Sequence, residues 1–161
     1  MANPSKVWET VTNKWLGEEC RRLSLAIGQT VVDKEEVRGR TYILVGPPAT
    51  GKSTLLRLIQ MIFAYDTTVQ VIHDLDGKKV VDYKKENGTV FCASNVEPPE
   101  DLPDVYVIRT KKKSLPMSLD EYNKVVKIME RNIDDLRRYC CYRYVLTDTA
   151  YRKLKGEKEL V

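Results

Sequence analysis

The sequence predicts an α/β fold in three layers, a small, mostly parallel sheet flanked by helices. Three observations predict it. The stretch TYILVGPPATGKSTLLRLIQ, residues 41–60, passes from an apolar strand-like run through a glycine-bounded loop into leucines and isoleucines at helical spacing. TTVQVIHDLDG, TVFCASN and VYVIRT then read as further buried strands, enough for a sheet of about four or five. Helical patterns lie before the loop and after the last strand.

Each element has a local reason. Asn3 followed by Pro4 is a capping side chain and a ring pre-set for a first turn. Trp8, Val11, Trp15, Leu16, Leu23 and Ala26 continue at helical spacing, and Gly28 is the expected stop, giving a helix over 3–28. VVDKEEVRGR is a charged connector. Lys52 to Ala64 carries the helix after the loop. KKVVDYKKENG reads as a short ribbon closed by Asn87–Gly88, and VEPPEDLPD as a proline-rich loop. Ser118 and Glu121 form a capping box that opens a helix over 118–141. Tyr122, Val126, Met129, Ile133, Leu136 and Cys140 mark its core-facing stripe. The polar tail TAYRKLKGEKELV is expected to fray.

The chain's 161 residues fit a single domain, 1–161, with a nucleotide-binding core over 40–113 between the two helical segments. It is 42% hydrophobic and 31% charged, with a formal net charge of +4 that permits a nucleic-acid partner without requiring one. No apolar run approaches the roughly 20 residues that span a bilayer, and MANPSKVWETVTNKW has no apolar signal core. A cytoplasmic, intracellular protein with no membrane partner is expected. Cys20, Cys92, Cys140 and Cys141 form no C-x-x-C pair and His73 is the lone histidine, so buried thiols are expected rather than a zinc site.

Gly46, four residues, then Gly51–Lys52–Ser53 matches G-x-x-x-x-G-K-[ST] at every fixed position. The glycines let successive backbone N–H groups turn inward toward phosphate oxygens, and the following helix adds its positive end. Gly46, Pro47, Pro48, Ala49, Thr50, Gly51, Lys52, Ser53 and Thr54 form the expected cradle for a nucleotide. Lys52 places charge on the β and γ phosphates, and Ser53 supplies a hydroxyl to Mg²⁺. The fold is therefore expected to be of the P-loop NTPase type.

With its two prolines, GPPATGKST resembles the loop of superfamily 3 helicases of small viruses and plasmids, within the wider AAA+ group. The likeness covers roughly residues 40–110. It implies ATP and Mg²⁺ as cofactors, an ATPase acting on single-stranded DNA or RNA, and a homo-oligomeric ring or a partner protein. No Asn-Lys-x-Asp guanine-reading motif is present. In those helicases a central strand ends in Ser-Asn or Thr-Asn, and the asparagine faces the attacking water and the γ-phosphate. Ser94–Asn95 matches that tip, the competing reading being turn chemistry into the proline loop.

A strand-tip carboxylate is needed to hold Mg²⁺ through water. Asp74 is the expected metal-side acid and Asp76 the polarising one, although Leu75 separates them where the resemblance calls for adjacent acids. Asp82 is the rival, and His73 is read as structural ahead of the alternative that it faces a γ-phosphate or a DNA strand. Lys78, Lys79, Lys84 and Lys85 stand where the resembling helicases carry a basic hairpin that grips single strands, against the alternative of a solvated turn. RTKKK, residues 109–113, is a second cationic cluster. The interval from Lys52 to Asn95 is too short for a helix between acidic strand and hairpin. No arginine stands at the loop position expected of a trans-acting finger, leaving Arg109, which its strand position disfavours, or Arg137, Arg138 and Arg143. Only 40 residues precede Thr41, so no nuclease or origin-binding domain is expected there. The competing functions are a small-molecule or nucleic-acid kinase, and a non-catalytic ATP-sensing regulator or loader.

Overall fold

The computed structural model describes residues 6–9, 12, 19–48, 51–73, 88–99, 102–110 and 118–159. Its sheet has four strands, β1 (Thr41–Val45), β2 (Val69–Ile72), β3 (Thr89–Ser94) and β4 (Val105–Arg109), in the order β2-β3-β1-β4. Every pairing is parallel. Composition follows position. The two central strands, TYILV and TVFCAS, are buried at every residue, as strands covered on both faces must be. The outer strands are half-buried, and β4 exposes Tyr106 and Arg109.

Alternation along β1 sends Tyr42 and Leu44 to one face and Ile43 and Val45 to the other. The first face joins Phe91, Ala93 and Ile108 to the described helices. Tyr42 stacks on Phe91 with ring centroids 5.0 Å apart, and Phe63 reaches the same ring at 5.8 Å. Cys92 and Ile43, on the second face, have no solvent exposure.

Among the described residues the helices with defined bounds are α1 (Cys20–Val32), α2 (Lys52–Ile62), α3 (Leu119–Arg131) and α4 (Ile133–Glu159), and residues 6–9 and 12 are helical as well. Small all-parallel sheet and flanking helices make the α/β arrangement the sequence calls for. Two helices differ from expectation. Where one helix over 3–28 is expected, α1 begins at Cys20 with Glu19 as its N-cap, runs through Gly28 and ends at Val32, with the Asp33 N–H donating to Gln29 O at 2.7 Å. Gly28 is there for a crossing, not a stop. A Cβ at this position would lie 2.2 Å from Cys140 O and 2.7 Å from Tyr144 Cβ on α4, so only glycine lets the two helices meet.

The helix expected over 118–141 is two helices, and the second continues to Glu159 through residues expected to fray. Asn132 makes the break. Its side-chain amide donates to Ile128 O at 2.7 Å, its N–H donates to Met129 O at 3.1 Å, and its carbonyl accepts from Leu136 N. An asparagine competes with the helical ladder in just this way. The capping box forms as expected, with Ser118 Oγ accepting from Glu121 N at 3.2 Å. Val126, Met129, Leu136 and Cys140 still line one core stripe across the break.

Candidate functional site

The carboxyl ends of β1, β3 and β4 gather at one edge of the sheet, and the glycine loop leaves from the middle one. β1 stops at Val45, and the next N–H, Gly46, donates to Ser94 O at 3.2 Å. The loop's first glycine is thus tied to the tip of β3. At the loop's other end Gly51 has φ 88°, a left-handed conformation that favours glycine, and it caps α2 without a side-chain bond. The first helical closure is Leu55 N donating to Gly51 O at 3.0 Å. The amides of Ser53 and Thr54 precede that closure, where helix geometry leaves N–H groups facing off the end.

Lys52 is 7% exposed, and its ammonium turns back to donate to Gly46 O at 2.6 Å and Pro47 O at 2.5 Å. Burial pulls its pKa below the ordinary lysine value. A cation so desolvated needs compensating oxygens, and here the loop's own carbonyls supply them. Ser53 is exposed, while Thr54 is half-buried under α3, its hydroxyl hydrogen-bonded to that of Tyr122. One turn on, Arg57 pairs with Glu130. Ala49 and Thr50 lie outside the described residues.

Asn95 sits beside this loop. The register sets Val45 opposite Ser94, so Asn95 follows at the level of Gly46. Ser94 is 5% exposed; its hydroxyl donates to Val96 O at 2.8 Å and accepts from Val96 N at 3.0 Å. That small turn consumes the serine and leaves Asn95 exposed. Turn chemistry and a strand-tip amide, posed as alternatives from sequence, coexist in adjacent residues.

Sequence reasoning missed Glu97. It grips Arg109 with both carboxylate oxygens, at 2.8 and 3.1 Å, and so ties the segment after Asn95 to the end of β4. Arg109 stands opposite Val45, and the next residue, Thr110, donates its N–H to Val45 O at 2.8 Å. The usable signal was a carboxylate two residues past the Ser-Asn tip, with a lone arginine closing the next strand.

Other candidates fall elsewhere. Ile72 pairs with Cys92, which puts His73 level with Ala93, short of the strand tips. Its Nε2 lies 3.2 Å from Gln60 Oε1, well along α2 from the loop, so the histidine joins strand to helix. Arg137 and Arg138 are exposed on α4, and Arg143 lines a cleft of about 650 Å³ between α4, α1 and Glu9. Cys92 is buried with its thiol pushed up to about 12, and burial likewise raises Cys141; both are poor nucleophiles. Asp74, Asp76, Asp82, Lys78, Lys79, Lys84 and Lys85 lie outside the described residues, as do residues 111–113.

No protein-family model matches the chain, and no curated protein matches it by sequence. Among solved structures, the apo A form of the NrS-1 C-terminal region is similar over 88% of this chain, with a TM-score of 0.59 and 13% identity. A second structure of that region gives a TM-score of 0.56 at 12% identity. The likeness covers 46% and 48% of those chains, so this chain spans about half the length of the structures it matches. It is a distant relation in fold. Among the described residues, no helix is long and apolar enough to cross a membrane.

Proposed function

We propose that the chain binds ATP with Mg²⁺ in the loop from Gly46 to Thr54 and hydrolyses it, as an ATPase acting on nucleic acid. One observation carries the reading: the Gly46 N–H is bonded to Ser94 O, so a glycine loop, a helix N-terminus and an exposed strand-tip amide converge at one sheet edge. This edge is where ligands collect in open parallel sheets.

The residues fit the group. The buried Lys52 ammonium donates to the Gly46 and Pro47 carbonyls, and phosphate oxygens are stronger acceptors for it. The Ser53 and Thr54 amides and the positive end of α2 would hold the β and α phosphates. The exposed Ser53 hydroxyl and Asp74 would hold Mg²⁺, whose chemistry is to neutralise charge developing on the phosphates. Asn95 would orient the attacking water by hydrogen bonding, and Asp76 would accept its proton. The assignments of Asp74, Asp76 and the nucleic-acid contacts Lys78, Lys79, Lys84 and Lys85 rest on the sequence alone.

The test is ATP hydrolysis with and without single-stranded DNA, beside a Lys52→Ala control. The reading expects turnover that DNA stimulates and the control abolishes. Tight ATP binding without turnover would recast the chain as an ATP-sensing regulator, and phosphate transfer to an added nucleoside would recast it as a kinase.

A further inference from the structure

The sheet order sets β1 between β3 and β4, so a link from the tip of β3 to the tip of β4 must pass the end of β1, where the glycine loop begins. The Glu97–Arg109 pair is such a link, joining the continuation of β3 to a strand two spacings away, about 9.5 Å. Arg109 stands opposite Val45 and two residues beyond Val107, and so lies on the face of Ile43 and Val45. α2 packs on the other face, with Tyr42 and Leu44. The pair therefore straps the strand tips together on the face away from α2.

A ring of contacts closes through this strap. Gly46 N donates to Ser94 O at 3.2 Å and Thr110 N to Val45 O at 2.8 Å, which joins β3 to β1 and β1 to β4 along the backbone. Arg109 Nε and Nη2 then donate to the two Glu97 carboxylate oxygens at 2.8 and 3.1 Å and return the ring to β3. Asn95 stands within it, one residue after an anchored serine and two before an anchored glutamate. Glu97 is restrained in its backbone as well, because it precedes Pro98, whose ring favours an extended neighbour and which is itself buried. An exposed ion pair contributes little to stability, but a bidentate arginine–carboxylate pair fixes direction as well as distance.

Resting on the ATPase reading above, we infer that Glu97 and Arg109 are positioning residues for hydrolysis: the strap holds the Asn95 amide beside Gly46, aimed at the attacking water. Arg109 then acts within its own chain, through Glu97 and Asn95, and not as a finger reaching a neighbouring subunit. The phosphates are gripped by Lys52 and the loop amides, so cutting the strap slows the chemical step and leaves ATP affinity in place.

The experiment measures steady-state ATP hydrolysis, calorimetric ATP affinity and the urea midpoint. It compares the wild-type chain with Glu97→Gln, Arg109→Lys, Asn95→Ala, the Asn95→Ala/Glu97→Gln double variant and Lys52→Ala. Both strap side chains are more than half exposed, so the midpoint should stay in place. Glu97→Gln is expected to lower kcat about tenfold, the scale of a misaimed catalytic group, and Arg109→Lys, which lacks the fork, to match it. ATP affinity should stay within about threefold of wild type. The double variant should be no slower than Asn95→Ala alone, because the strap works through that amide. Arg109→Lys mixed with Lys52→Ala should recover no turnover. Wild-type kcat in Glu97→Gln or Arg109→Lys, losses that multiply in the double variant, or recovery in the mixture overturns the inference and spares the ATPase reading. A wild-type chain without turnover, or turnover that Lys52→Ala leaves unchanged, overturns that reading and the inference with it.

Discussion

The two ends of the sheet are built to opposite plans. At the amino end the chain sews itself shut. Gly39 N donates to Gly88 O at 2.7 Å, Thr41 N to Asp104 O at 2.8 Å and Thr89 N to Thr68 O at 2.9 Å, while the Thr89 hydroxyl donates to Val37 O at 3.0 Å. Lys34 meets Asp66 at 2.6 Å, and Asp66 also accepts from the Thr68 N–H at 2.9 Å. At the carboxyl end the polar groups are held but not closed over. Asn95 and Ser53 are exposed, the Glu97–Arg109 pair is more than half exposed on both sides, and Lys52 is parked on loop carbonyls. Backbone groups satisfied by one another stabilise the fold, whereas donors left facing outward are available to a ligand. One end spends its polar groups on the fold, and the other leaves them open where the proposed ligand would bind.

That division breaks most readily at Lys52. Lys52→Met is expected to weaken MgATP binding on the order of 100-fold, since the loop's central charge goes. Stability should change by less than about 1 kcal/mol, because two carbonyl bonds are lost but a desolvated cation is removed as well. A large drop in the urea midpoint would mean the loop braces the fold, and the contrast would fail.

Next in size, Asn95→Ala should slow ATP hydrolysis by about 10- to 100-fold while ATP affinity stays within about threefold. An equal loss in affinity and rate would make Asn95 a binding residue rather than one that orients the attacking water.

The amino end should answer in stability alone. Gly39 has φ +84° with open space around it, so Gly39→Ala meets no clash, only the left-handed backbone penalty of about 1 kcal/mol. Urea unfolding measures that loss, and ATP affinity should not move. A changed affinity would show that the two ends communicate.

The smallest effect belongs to Asp66. Burial works to raise its carboxyl, and the hydrogen bonds from Lys34 and Thr68 outweigh it, holding the group below the usual carboxylate range. A depressed carboxylate stabilises the fold above its unfolded pKa, and that contribution is lost as pH falls through the folded value. Asp66→Asn should therefore cost about 0.5 kcal/mol at neutral pH, discounted for the exposed lysine, with the gap to wild type closing in acid. A gap that is constant with pH would remove the charge from the account.

Much of this was legible beforehand, and the exceptions are instructive. The glycine loop, the Ser118 cap and the continuously apolar central strands follow from rules that act within a few residues. Gly28 reads locally as a helix stop because nothing nearby in sequence reveals α4, whose Cys140 carbonyl fills the space a side chain would need. Asn132 sits in an otherwise regular apolar stripe, so the stripe concealed a break that one amide makes. Tyr122 reads as core, and half of it is; its hydroxyl on Thr54 appears only once α3 is laid across α2.

By itself, then, the sequence determined the parts: which runs are strands, where the loop curls, which lysine stands in it and which asparagine ends a strand. Only the tertiary structure decided that β3 lies between β1 and β2, and hence that Gly46 meets Ser94 and Asn95 stands beside the loop. The reason is physical. Propensities, caps and periodicity act over a turn or two of chain, whereas strand order is set by burying distant faces together, and 48 residues separate Gly46 from Ser94 along the chain.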